Sequence, residues 1–343
     1  MKKFLFPLLT IAVLVSCSKE NPSSENSSDG RVEIKVASQA LEVTSRSPFE
    51  GTIGENEPLR ALVPASLKQG NYSEPYDGPH GYMIFSNNGV SAVGFVNSDD
   101  WSTSAAKYYP ADPDKKVFLC GLYPHNVWGT SFSTEAKAKI DGKTDLMAAK
   151  EILTMKEDVQ TGAPKTLEFK HLLTRLDIKL TAENTDAKAA WGNITSLKLS
   201  KVKEVAPASQ ITVDLTSGAV KNNGFTGTDP TMCYNTTNDR EITHDAPLTL
   251  ENYPVSATAY TLCQPVNASS GENHYTLEIT TTGHQDTYVI PLTLKYDSKF
   301  QGNTNTTTGQ AFEVSLTFKV STIQAKATVA EWEEAGTSEG TIQ

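Results

Sequence analysis

From Phe312 to Val329 the chain sets an apolar side chain at every second position. Phe312, Val314, Leu316, Phe318 and Val320 share one phase, and Ile323, Ala325, Ala327 and Val329 follow after a shift of register. Only a β-strand turns alternate residues to opposite faces, so the stretch predicts two adjacent strands, or one long bent one, with a single buried face. The same period recurs at Val32-Ile34-Val36, with Leu41 and Val43 continuing it, at Leu176-Ile178-Leu180 and at Leu197-Leu199. It is cleanest at Tyr288, Ile290, Leu292, Leu294 and Tyr296, where Pro291 marks an edge strand or a bulge because it cannot donate to a ladder. Val117 to Pro124 is continuously apolar instead, which predicts a strand covered on both faces. Thr, Ser, Asn and Gly fill the intervals, and Lys221 to Pro247 reads as loop by composition. The chain is predicted to be all-β.

A length of 343 residues suits two domains, each large enough to bury its own core. A fresh series of strands starts at Leu167, so the division is placed at 31–166 and 167–343. The net charge is -10 and no basic run occurs, which excludes a nucleic-acid partner, since phosphate binding needs clustered Lys and Arg.

The first residues form an address. Met1-Lys2-Lys3 is a basic head and Phe4 to Val15 an apolar run too short to span a bilayer, the pattern of a secretion signal over 1–16. Leu14-Val15-Ser16-Cys17 resembles the bacterial lipobox, which makes Cys17 the residue that takes a lipid. Ser18-Lys19-Glu20 resembles a surface-export signal. Residues 17–30 are polar and form a tether. After the strand at Val32 to Val43, Thr44-Ser45-Arg46-Ser47-Pro48 sets one arginine among small polar residues before a proline, an exposed and extended segment of the kind proteases cut. Processing is expected between Arg46 and Ser47, with Arg60 and Arg31 as weaker alternatives.

Motifs of catalysis do not occur. There is no Gly-x-Ser-x-Gly, His-Glu-x-x-His or Cys-x-x-Cys, and Gly142-Lys143-Thr144 lacks the first glycine of a phosphate loop because Lys137 stands there. His171 is read as a structural histidine and Cys120 as an inert core thiol. Cys233 and Cys263 are the other cysteines left once Cys17 is lipidated. No enzyme activity, cofactor or metal is expected.

Cys17, the Arg46 loop, Phe169-Lys170-His171-Leu172-Leu173-Thr174-Arg175-Leu176 and the closing Gly309-Gln310-Ala311-Phe312 through Ala330-Glu331-Trp332 together resemble the fimbrillins of Bacteroidia, the type V pilins. The resemblance implies two β-sandwich domains in a transthyretin-like (Greek-key) arrangement. It implies an outer-membrane lipoprotein at the cell surface, cut after Arg46 by an Arg-specific protease. The strand Val32 to Val43 would leave, and a donor strand from within Phe312 to Gln343 of another pilin subunit would replace it, building a fimbrium for cell adhesion. A second reading is a monomeric surface lipoprotein that binds glycans, with Trp101, Tyr108, Tyr109, Trp128 and Trp191 stacking on sugars.

Overall fold

The computed structural model describes residues 31–40, 60–84, 89–96, 103–129, 132–142, 144–200, 210–221, 231–232, 234–235, 246–247, 249–250, 255–261, 272–284, 286–295, 309, 311–330 and 339–341. Strands dominate. The helices among these residues are two short ones, Lys156–Gln160 and Thr185–Trp191.

The N-terminal sheet has ten strands. Its path runs Gly89–Ala92, Lys35–Ala40, Thr166–His171, Met147–Thr154, Val117–Tyr123, Arg60–Val63, Gly81–Ile84, Gly94–Val96 and Thr103–Ala106, with Ala65–Ser66 beside Val117–Tyr123. The first strand pairs antiparallel with Gly89–Ala92 and parallel with Thr166–His171. Just before it, Glu33 bridges Tyr108, which follows directly on the strand at the other end of the path. The two ends of the sheet therefore meet at Val32–Ile34, and the sheet curls into a barrel-like closure that this one segment completes.

Alternation explains why it can. Val32, Ile34, Val36 and Ser38 are buried, while Glu33, Lys35, Ala37 and Gln39 are half-buried on the other face. The inward set joins a core with Ala61, Val63, Met83, Leu119 and Phe169. The outer face is covered as well, by a second core in which Leu62, Cys120 and Leu122 meet Ile211 and Val213. These come from a three-stranded sheet, Val220–Lys221, Gln210–Asp214 and Glu135–Lys139, drawn from both halves of the chain. Two-sided cover is what the apolar run at 117–124 required. Cys120 is fully buried, and burial pushes its thiol up, out of the reactive range.

The sheets do not change at residue 166. Thr166–His171 belongs to the N-terminal sheet, and the first strand of the next sheet is Thr174–Ala182. That seven-stranded sheet orders Tyr234–Asn235, Val255–Thr261, Thr174–Ala182, Ala311–Phe318, Ile323–Ala330 and Glu339–Thr341, with Thr249–Leu250 alongside Thr174–Ala182. It faces a five-stranded sheet of Thr231–Met232, Asn193–Ser200, Glu272–Thr281 and Tyr288–Lys295, with Ala246–Pro247 beside Asn193–Ser200. Leu176, Ile178, Val314, Leu316, Leu197 and Leu277 fill the space between them, and Trp191 plugs it from the end of its helix. The chain is an all-β, sandwich-like fold. Tyr288–Lys295 ends its sheet, the edge position Pro291 needs.

Two expectations change. Phe312–Val329 forms two strands in a tight antiparallel pair, with Lys319 N–H donating to the Thr322 carbonyl across the turn. Val320 falls in that turn and is 52% exposed, so it does not share the buried face of Phe318. The polar stretch 221–247 contributes strands of two residues, Thr231–Met232, Tyr234–Asn235 and Ala246–Pro247, which dock on longer ones. Pairs that short leave no period to read.

One cation sits inside the N-terminal barrel. Lys107 is 0% exposed, and its Nζ donates to the carbonyls of Tyr76 (2.7 Å) and Asp77 (2.9 Å). Burial holds its pKa down to about 8, with the Asp77 carboxylate opposing. Between about 8 and the ordinary 10.5 the unfolded chain binds a proton that the folded chain does not, so stability must rise with pH across that window.

Urea unfolding at about pH 7.5 and about pH 9.5 checks this: the midpoint of the wild type should climb relative to that of Lys107→Met. Parallel responses of the two proteins would disprove it. Packing gives a second expectation. A methyl added at Gly121 overlaps the Phe169 ring. Gly121→Ala should therefore cost about 1–3 kcal/mol in the same assay, and adding Phe169→Leu should return part of that loss.

Candidate assembly site

The segment Val32–Ala40 lies in a seat whose two walls come from distant parts of the sequence. Ile34 shows the arrangement best. Its N–H donates to the Lys107 carbonyl (2.8 Å) and its carbonyl accepts from Val93 N–H (2.8 Å). Val93 in turn accepts from Lys107 N–H (2.7 Å), and Val32 accepts from Tyr109 N–H (2.9 Å). Further along, Lys35 to Ser38 run opposite Ala92 to Gly89, while Ala37, Gln39 and Ala40 partner Thr166, Glu168 and Phe169.

Side chains reinforce the fit. Ile34, Val36 and Ser38 are 0% exposed and Val32 is 8% exposed. Burying Val32, Ile34 and Val36 stabilises the fold by roughly 5–9 kcal/mol as an upper bound, before any main-chain bond is considered. Outside the seat, the Arg31 guanidinium lies 4.3 Å over the Tyr108 ring, and Lys35 pairs with Glu33 at 3.5 Å. These contacts at the solvent boundary contribute little.

The seat has a clear chemical meaning. Taking the strand away would leave two sheet edges facing each other, Thr166–His171 and Gly89–Ala92, with apolar pockets between them. Such a slot accepts one extended strand by main-chain pairing, and alternate side chains decide which strand.

Of the sequence-derived sites, Val32, Ile34 and Val36 come together here. Leu41, Val43, Arg46, Ser47 and Cys17 lie outside the described residues, as do Cys233 and Cys263. Arg60, a weaker cut position, opens a strand paired with Gly81–Ile84, and its carbonyl accepts from His125 N–H. A protease would first have to unpair it. The expected donor residues lie elsewhere in the molecule. Phe312, Val314, Leu316 and Phe318 occupy a strand flanked on both sides over its whole length, by Thr174–Ala182 and Ile323–Ala330. Ile323, Ala325 and Ala327 pack on the same core from the next strand, in which Val329 stands opposite Phe312. Among the described residues, that outer strand pairs on its far side with Glu339–Thr341 alone.

Lys107 and Ser38 went unnoticed in the sequence. Both stand on the inward phase of a period-two pattern, two residues from Tyr109 and Val36 respectively, but their polarity hides them. Among the described residues the aromatic platform of the glycan reading does not form. Tyr109, Trp128 and Trp191 are core residues at 5%, 6% and 0% exposure, Tyr108 is half-buried, and Trp101 is outside the described residues. Large rings were recruited to fill barrel and sandwich ends.

His171 is buried and its Nδ1 hydrogen-bonds Asp145 Oδ2 at 2.8 Å. Nearby, Arg175 pairs with Asp177 at 2.7 Å. Burial and the Asp145 carboxylate together push the Tyr260 hydroxyl up. This polar group sits at the corner where one sheet hands over to the next, a structural place for a histidine. Among the described residues no cluster of three or more His, Cys, Asp and Glu could hold a metal ion, and no helix is long and apolar enough to cross a membrane.

The fold recurs in solved structures. A candidate cell adhesion protein of Bacteroides uniformis superposes with a TM-score of 0.51 at 13% identity, covering 89% of this chain and 99% of its own. One from Bacteroides ovatus gives the same values, a TM-score of 0.51 at 13% identity over 89% and 99% of the two chains. A fimbrial protein of Bacteroides vulgatus gives 0.46 at 12% identity over 88% and 99%. A comparison with curated protein sequences finds no match. The sequence profile described as Fimbrillin-like matches residues 76–332, well over half of the chain. The all-β fold built around a seated first strand thus carries a fimbrillin sequence, and the chain belongs to the fimbrillin-like family.

Proposed function

We propose that this chain is a non-enzymatic structural subunit of a cell-surface fimbria that serves adhesion. It is exported as an outer-membrane lipoprotein through Cys17, cut between Arg46 and Ser47 by an Arg-specific protease, and polymerised by exchange of its first strand. Membership of the fimbrillin-like family supports the fimbrial role.

One observation carries the exchange step. Val32–Ala40 is the first strand of the barrel, and it pairs with partners that begin at residues 89, 107 and 166. It is joined to them covalently only through the segment that holds Arg46. A strand in mid-chain would need two cuts to leave; this one needs a single cut. Until then its effective concentration at the seat is of millimolar order or higher, and a free strand from another molecule does not compete. After the cut that advantage is gone.

The donor is a C-terminal strand of a neighbouring subunit, and the segment from Phe312 to Gln343 is what this chain offers in turn. Drawing out Ala311–Phe318 would break pairings on both flanks and empty the sandwich core. The outer strand Ile323–Ala330 and the residues that follow are the less costly source. No nucleotide or metal takes part, and folding free energy drives assembly.

Treating lipidated protein with an Arg-specific protease and sequencing the product tests this directly. With the other fimbrial subunits present, the wild type should begin at Ser47 and then form denaturant-resistant ladders, whereas Arg46→Ala should keep its N-terminus at Cys17 and remain monomeric. Assembled fimbriae whose subunits still begin at Cys17 would refute the scheme. In the uncut chain, Ile34→Ala should cost about 2–5 kcal/mol of stability, read from the urea midpoint.

A further inference from the structure

The seat sorts strands by size. Its two middle pockets, filled by Ile34 and Val36, are closed to solvent, and Val32 sits nearer the rim. The far end is narrow: Ser38 is 0% exposed, faces Gly89, and lies between the pairs Ala37–Thr166 and Gln39–Glu168. A replacing strand must therefore set two successive inward aliphatic side chains in the middle and a small one at the Ser38 end. An alanine in a middle pocket leaves a cavity, a glutamate buries a charge, and a large ring at the narrow end overpacks it.

This chain's own C-terminal segment does not meet that pattern. On the phase of Ile323, the residues of 321–331 run Ser321, Ile323, Ala325, Ala327, Val329, Glu331. Every register, in either direction, puts a serine, an alanine or a glutamate into at least one middle pocket. The other phase is Thr322, Gln324, Lys326, Thr328, Ala330, Trp332, and beyond Glu331 no two successive same-face residues are aliphatic apart from alanine. Val314 and Leu316 would suit the middle pockets, yet Phe312 or Phe318 then falls at the narrow end, and every other register of that strand puts a phenylalanine in the middle or leaves only one flank filled. That strand is also held on both sides within its own sandwich.

We propose that the vacated seat discriminates against the C-terminal segment of a second copy of this chain and takes its strand from a different subunit. That strand bears two successive inward Ile or Val side chains followed by a small residue. This inference rests on the strand-exchange reading above, and it makes the chain a subunit set between unlike neighbours.

Full-length chain, nicked by a site-specific protease at a recognition sequence placed over 44–50, provides the test. Fluorescent peptides are offered to it and their entry is followed by anisotropy. The peptide of Val32 to Ala40 should exchange into the seat. The peptide of Ser321 to Glu331 should bind at least about 30-fold more weakly, and the same peptide carrying Ala325→Val and Ala327→Ile should recover at least about tenfold. If the unaltered Ser321 to Glu331 peptide binds within about threefold of the first-strand peptide, the selectivity is wrong while strand exchange stands. If the first-strand peptide itself fails to enter, strand exchange falls and the selectivity falls with it.

Discussion

The fold depends on one main-chain arrangement. Ile34 gives its N–H to one segment, at Lys107, and takes an N–H from another, at Val93, while the residues after it pair with Gly89–Ala92 and Thr166–His171. A buried N–H or carbonyl left unpaired costs free energy comparable to a lost hydrogen bond, so this segment satisfies groups on three separate parts of the chain at once. Without it the ten-stranded sheet has two raw edges and an open core. Sheet edges are sites of intermolecular pairing unless they are covered. What closes the barrel is therefore also what covers those two edges.

The rest of the molecule packs around the sheet that holds the seat. The N-terminal sheet is packed on both faces, inward on Val63 and Phe169 and outward on a three-stranded sheet that borrows Gln210–Asp214 from the second half of the chain. Thr166–His171 forms one wall of the seat and continues, after two residues, into Thr174–Ala182 at the centre of the C-terminal sandwich. The His171–Asp145 hydrogen bond stands at that handover. A strand entering the seat thus pairs with a wall that is directly continuous with the other sandwich.

Much of this was legible in the sequence, because the side-chain period belongs to each strand alone. Val32-Ile34-Val36 and Phe312-Val314-Leu316-Phe318 were read from alternation and are buried on one face; the two-sided strand at 117–123 was read from its unbroken run. What escaped was partnership. Thr166–His171 looks like the start of a new series, yet it pairs with residues 37–40, and nothing local in either segment says so. Gln210–Asp214 joins Glu135–Lys139 by the same kind of distant pairing. Trp128 and Trp191 serve the glycan reading as exposed rings, while their burial is decided by what packs from elsewhere. Lys107 was missed for the opposite reason: a charge on an inward phase looks like an outward residue, and the carbonyls of Tyr76 and Asp77 that help it stay inside lie some thirty positions earlier.

A seat of this kind separates when a bond can form from which bond forms. Timing belongs to the covalent link: while the strand is attached, its local concentration holds the seat shut whatever strands are nearby. Identity belongs to the pockets. Main-chain pairing is nearly indifferent to sequence, so the choice among strands falls to the side chains at the Ile34, Val36 and Ser38 positions, where interior packing leaves little room for a mismatch in either direction. Because the first strand already fills those pockets well, an incomer gains little by outbinding it and succeeds chiefly by being present after the link is gone. In the proposed assembly a subunit then remains folded and inert through export, and its place in a polymer is set by three side-chain positions.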